Sequence, residues 1–105
     1  MQLTLLKGYP DMIGLRRAFA GYGNGPSNYT QGADDPVTIP TYGFSIDALF
    51  GGVISTDGST VAMAHPSGSG SSQTWNLQYY VASSMARASG DLSGKVFQIA
   101  GFGGF

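Results

Sequence analysis

Apolar and polar residues alternate most regularly between Gln73 and Ser83, QTWNLQYYVAS. Side chains alternate across the two faces of a strand. Trp75, Leu77, Tyr79 and Val81 therefore share one face, and Thr74, Asn76, Gln78, Tyr80 and Ala82 the other. One face is apolar and the other mostly polar, the period of a half-buried strand. Trp75 and Tyr79 bring large apolar areas, each with a polar group that needs a partner. This strand is expected to be the spine, with the other strands packed on its Trp75 face.

The remaining alternation is shorter. Gln2 to Lys7 reads as a strand ended by Gly8, Pro10 and Asp11. Asp11 to Ala20 fits either a helical turn capped by Asp11 or a strand; Gly14 weakens the helix, and an extended segment is expected. In Val37 to Phe50, the residues Tyr42, Phe44, Ile46, Ala48 and Phe50 fall on one face, with Pro40 marking an edge or bend. Val53–Thr56 and Thr60–Ala64 flank Asp57-Gly58-Ser59, and Asp-Gly between strand-like runs predicts a hairpin with a type I′ turn. His65 to Ser72 reads as a flexible tip, Met85 to Ser93 as a polar connection and Val96 to Ala100 as the last strand. Gly101 to Phe105, GFGGF, reads as a glycine-spaced aromatic tail.

Between these runs lies Gly21 to Pro36, rich in Gly, Asn, Asp and Pro, which tolerate turn geometry. A stretch this long in a small domain is either a mobile excursion or a segment ordered by docking on a neighbour, and docking is the reading taken here. The expected fold is all-β: one domain over residues 1–105, a small antiparallel sandwich or barrel. An extended N-terminal segment (1–26) precedes a β core (27–105) that carries a long irregular loop.

Composition sharpens this picture. Only 10% of the 105 residues are charged, against ~25% in ordinary soluble domains. Every acidic residue is Asp, and Lys7 and Lys95 are the only lysines, so helix-favouring surface residues are scarce. Seventeen glycines fit strands and turns. A surface so poor in charge does little to keep chains apart and suits one partly covered by partners. Net charge is −1 and the basic residues form no patch beyond Arg16 and Arg17, which argues against nucleic acid. There is no cysteine for a disulfide or thiolate metal site. No N-terminal run is long and apolar enough for a signal peptide or membrane span.

Candidate chemistry is sparse. Acid–base or nucleophilic catalysis needs a tuned base beside a nucleophile. The one histidine, His65, precedes a proline and reads as an ordinary loop residue; no Cys or Glu replaces it. Asp34, Asp35 and Asp47 lack the spacing of a calcium loop. Gly68-Ser69-Gly70 could form an anion nest, but no Walker lysine follows. Asn76, Gln78 and Tyr80 carry groups suited to sugar binding, on what is more simply a wet sheet face. No catalytic, cofactor or metal site is expected, and the chain is not expected to be an enzyme.

Several pieces together resemble a known class. Ser27-Asn28-Tyr29-Thr30-Gln31-Gly32 is followed by Tyr42 to Ala48 and by the aromatic strand Thr74 to Ala82; Gly90-Asp91-Leu92-Ser93 then leads into Val96 to Gly101. This order is similar to that in small virion proteins of tailed bacteriophages, of the capsid decoration or cement type. The likeness runs from Ser27 onward and carries no site motif, so no site residue is transferred. It implies a structural protein that binds and reinforces the capsid through strand edges and terminal arms. The partners it implies are the major capsid protein and copies of itself, with neither nucleic acid nor membrane. It implies a place on the virion surface after assembly in the host cytoplasm. A neck or tail component, or a sugar-binding module on the virion, is the alternative. Arg16, Arg17, Tyr22, Tyr29, Phe102 and Phe105 are the residues expected at the interface.

Overall fold

The computed structural model describes residues 1–9, 11–13, 16–39, 46–68 and 74–103. Two antiparallel sheets pack face to face. The first runs β1 (Thr4–Leu5), β3 (Arg16–Asn24), β9 (Val96–Gly103), β5 (Ile46–Leu49), with β2 (Asp11–Ile13) also paired to β3. The second runs β4 (Asp35–Pro36), β8 (Thr74–Val81), β7 (Thr60–Ser67), β6 (Val53–Ile54). The expected all-β sandwich is therefore the architecture found. Backbone bonds link the sheets at both sides. Val37 N donates to Trp75 O, while Thr38 N donates to Met1 O and Leu3 N to Thr38 O, each at 2.9 Å. On the opposite side the chain crosses from β5 to β6, and Thr56 N donates to Val96 O at 2.9 Å.

The described parts of the N-terminal segment enter the first sheet as β1, β2 and β3. β3 pairs with β9 through eight residues, from Arg17↔Gly103 to Asn24↔Val96. The core between the sheets centres on Phe19, Leu77, Tyr79, Phe97 and Ile99. Tyr79 makes an edge-on contact with Tyr29 (centroids 4.9 Å apart) and a tilted one with Phe97 (5.4 Å). Its hydroxyl donates to Asp35 Oδ2, and Asp35 Oδ1 accepts from the Met1 amine at 2.6 Å. Burial first, then the Asp35 contact, pushes the Tyr79 phenol well above its usual range.

The spine strand is buried only through its middle. Leu77 and Tyr79 are 1% exposed, but Trp75 is half-buried and Val81 exposed, so Tyr79 is the anchor and Trp75 packs at the margin. Trp75 Nε1 is buried with no hydrogen-bond partner among the described residues. On the other face Asn76 is buried at 3%, between Pro36 of β4 and His65 of β7, and its Nδ2 donates to Ser67 Oγ at 2.8 Å.

Three further expectations are corrected. The register of β5 on β9 shifts between Ile46 and Ala48. The extra residue turns Ile46 toward the core while Ala48, opposite Phe102, faces outward. Tyr42 and Phe44 lie outside the described residues. The stretch from Gly21 is ordered by its own domain: Gly21–Asn24 finish β3, and Tyr29 exchanges backbone bonds with Gly90 at 2.9 Å. Tyr29 OH donates to Ala33 O at 2.6 Å and accepts from Tyr79 N at 3.3 Å. The aromatic tail is no tail as far as Gly103, because Gly101 and Gly103 continue β9.

The hairpin stands at Asp57-Gly58, with Val53 opposite Ala62 and Ile54 opposite Val61. Its turn is not type I′, since Gly58 alone among Thr56, Asp57 and Gly58 has positive φ, at 78°. Space around a Cβ there is open. Gly58→Val is therefore expected to cost about 1–2 kcal/mol, from the left-handed backbone alone; urea denaturation followed by circular dichroism checks this, and parent-like stability would contradict it.

Asp57 organises the same turn. Its Oδ1 accepts from Ser55 Oγ (2.6 Å), Ser59 N (3.0 Å) and Ser59 Oγ (2.7 Å), and its Oδ2 from Lys95 Nζ (2.8 Å). The Lys95 bond first, then those from Ser55 and Ser59, hold the carboxyl well below the usual carboxylate range. A carboxyl lowered on folding stabilises above its unfolded pKa of about 3.9, and the contribution fades as pH falls toward the folded value. The group is exposed, so the contribution is modest. Asp57→Ala is expected to be less stable than the parent at neutral pH, with the gap narrowing below about pH 4. A gap that widens on acidification in paired urea melts would contradict the assignment.

Candidate interaction surface

Strand pairing fixes which side chains stand on the outer face of the five-stranded sheet. Gly101 and Gly103 of β9 face inward with Phe97 and Ile99, so Gln98, Ala100 and Phe102 face outward. Ala18 pairs with Phe102, which pairs with Ala48. Ala20 pairs with Ala100, and Tyr22 with Gln98. Leu6 N donates to Ala20 O (2.9 Å) and Phe50 N to Ala100 O (3.0 Å), which extends the Ala20–Ala100 row at both ends. This row reads Leu6, Ala20, Ala100, Phe50: two small residues between two large ones.

The result is a shallow apolar trough. Its floor is the methyl groups of Ala20 and Ala100. Leu6 and Tyr22 rise on one side, and Phe50 and Phe102 on the other, with the two phenyl rings edge-on at 5.5 Å. Phe50 is 53% exposed, Tyr22 42% and Leu6 38%. The charged residues described along these rows lie on the edge strands: Asp11 of β2, opposite Ala18, and the exposed bulge residue Asp47 of β5, beside Ala48. Contiguous exposed apolar surface of this kind marks an interaction site more often than scattered single residues do.

The expected interface residues are thus partly brought together. Tyr22 and Phe102 border the trough. Tyr29 does not: it is 5% exposed, in the core beside Tyr79, because its ring fills the space under its own loop. Burial holds its phenol above the usual range. Arg17 occupies the inward phase of β3, opposite Gly103, and is half-buried; the side chain of Arg16 is not among those described. Phe105 lies outside the described residues. Leu6 and Phe50 were missed. Phe50 was assigned with Ile46 to a single face, and the shift at Asp47 separates them.

The outer face of the other sheet is polar and internally bonded. His65 is a β7 residue, not a loop residue, and its Nε2 lies 2.8 Å from Asp34 Oδ1. Gln78 Nε2 donates to Asp34 Oδ1 (3.0 Å) and Gly32 O (3.3 Å), and Tyr80 OH to Gln78 Oε1 (3.3 Å). The Gln78 and His65 contacts, in that order, lower the Asp34 carboxyl below its ordinary value. Of the three residues suited to sugar, Asn76 is buried, and Gln78 and Tyr80 bond to their neighbours. Asp34, just before β4, bonds to Gln78 on the outer face, Asp35 of β4 bonds to Tyr79 on the inner face, and no group of three metal-ligating side chains occurs among the described residues. Of the candidate anion nest, Ser69 and Gly70 lie outside the described residues.

Comparison with known protein-family models, curated proteins and solved structures finds no match for this chain.

Proposed function

We propose that this chain is a structural subunit of a larger particle, seated by covering the trough on its five-stranded sheet with a neighbouring subunit. The observation that carries this is the apolar centre of the outer face, with Phe50, Tyr22 and Leu6 exposed around Ala20 and Ala100 and the charged Asp11 and Asp47 on the edge strands. Interface centres are depleted in charge and enriched in aromatic residues, as this face is. The low charge of the whole chain supports the same reading. The particle proposed is a tailed-phage capsid, on the likeness of the turn and strand motifs to decoration proteins. Strand-edge attachment has less support than face attachment, because Met1–Leu3 and Thr38 bond to each other along one side. Co-sedimentation with heads purified from the source phage tests the reading. The parent is expected to pellet with heads, and Phe50→Asp to bind at least about tenfold more weakly, the effect of losing one central aromatic anchor. A parent that stays in the supernatant, or a Phe50→Asp variant that binds equally well, overturns it.

A further inference from the structure

We infer that the element received by this trough is an amphipathic α-helix of the neighbour, entering with a narrow, uncharged apolar stripe. The inference rests on the attachment reading above and names the kind of structure that the face accepts.

Three observations carry it. The first is the course of the trough. Leu6 and Tyr22 stand one strand and one row apart, and Phe102 and Phe50 are offset in the same sense. The two walls therefore run parallel and cross the strands obliquely. Ala18 lies at one end of the floor, Ala20 and Ala100 in the middle and Gln98 at the other end. The second is size. With strands ~4.8 Å apart and ~6.8 Å between successive outward residues of a strand, the wall backbones lie roughly 12 Å apart. A helix ~10 Å across fills that width, whereas a single extended strand leaves about half of it empty. A flat sheet laid over the face would rest on the walls and leave the alanine floor uncovered. The floor is about 14 Å long on the same spacings, room for roughly ten helical residues, nearly three turns. The third is layering. An antiparallel sheet that is apolar on both faces needs a layer on each. The four-stranded sheet supplies one, and no helix among the described residues supplies the other. Asp11 and Asp47 stand on the edge strands, so a helix between the walls meets alanine and aromatic side chains along its apolar stripe and keeps its polar side in water.

Filling the floor tests this. Ala100→Phe adds an apolar ring to the trough and leaves the face uncharged. It is expected to keep the parent's circular dichroism and to bind heads at least about tenfold more weakly, because the ring occupies the helix's place. A face that attaches only by being apolar would bind as well or better. The chain has no cysteine, so Leu6→Cys, Tyr22→Cys and Phe102→Cys can each carry one benzophenone maleimide. Photolysis on heads, followed by peptide mass spectrometry, is expected to place the cross-links on one partner segment, three, four or seven residues apart. Spacings of two, cross-links scattered over separate segments, or an Ala100→Phe variant that binds like the parent overturn the inference. If Ala100→Phe does not fold, the cross-link spacings alone decide. Loss of binding in Phe50→Asp but not in Ala100→Phe removes the helix and leaves the attachment reading. A parent that does not pellet with heads removes the attachment reading. A lactam-bridged helical peptide with leucines three and four residues apart then decides the helix: nuclear magnetic resonance shifts at the Ala20 and Ala100 amides, absent with a scrambled peptide, keep it, and no such shifts overturn it.

Discussion

Tyr79→Ala is expected to lower the stability of the fold by about 4 kcal/mol, within the ~3–5 kcal/mol range of large aromatic-to-alanine changes in a core. The ring is among the largest fully buried side chains and touches both Tyr29 and Phe97, so its removal opens a cavity where the two sheets and the Tyr29 loop meet. The truncation also removes the hydroxyl that Asp35 accepts from. A domain of this size has a total stability on the order of 5–15 kcal/mol, so much of the population is expected to unfold well below the parent's melting temperature. Tyr79→Phe isolates the hydroxyl and is expected to cost about 1–3 kcal/mol, the penalty for a buried group that loses its partner. Trp75→Ala is expected to cost less than Tyr79→Ala, because Trp75 is half-buried at the margin. Urea melts of the three variants order them; Trp75→Ala emerging as the most damaging would return the core to the end of β8.

Gly101→Val carries the second large effect. β9 lies between β3 and β5, and a Cβ on Gly101 would fall on the carbonyl oxygen of Ala48 and 2.9 Å from Phe19 Cζ. The first obstacle is backbone and the second a fully buried ring, so neither yields without moving β5 or the core. The expected cost is about 3 kcal/mol or more, at the upper end of overpacking. At Gly94, where nothing lies within 4 Å of a Cβ, alanine is expected to leave the melting temperature close to the parent's. Equal melting temperatures for Gly101→Val and Gly94→Ala would mean that β5 does not press on β9 as described. The same packing predicts that truncation before Gly101 unfolds the monomer, since it removes the residues that pair with Arg17–Phe19 on one side and with Ile46–Leu49 on the other.

Local pattern was a sound guide wherever one strand's own alternation or one turn's chemistry decided the outcome. The absence of helix-favouring surface residues, the alternation around Tyr79 and the Asp57-Gly58 hairpin were legible because each depends on a few adjacent residues. Two of the residues expected at the interface, Tyr22 and Phe102, do border the trough. The rest needed the assembled fold. Alternation cannot say how far the opposing sheet reaches, so Trp75 looked like the anchor although Leu77 and Tyr79 are the covered pair. A one-residue shift at Asp47 reverses every face that follows it, so Ile46 and Phe50, which alternation puts on one face, stand on opposite faces of the sheet. Tyr29, in a stretch with no periodicity, is core because its hydroxyl and ring meet β8 across fifty residues of sequence. Gly101 reads in sequence as an end to strand structure. In the sheet, the missing side chain gives room for Phe19 from the neighbouring strand, and only the pairing of β3 with β9 brings the two together.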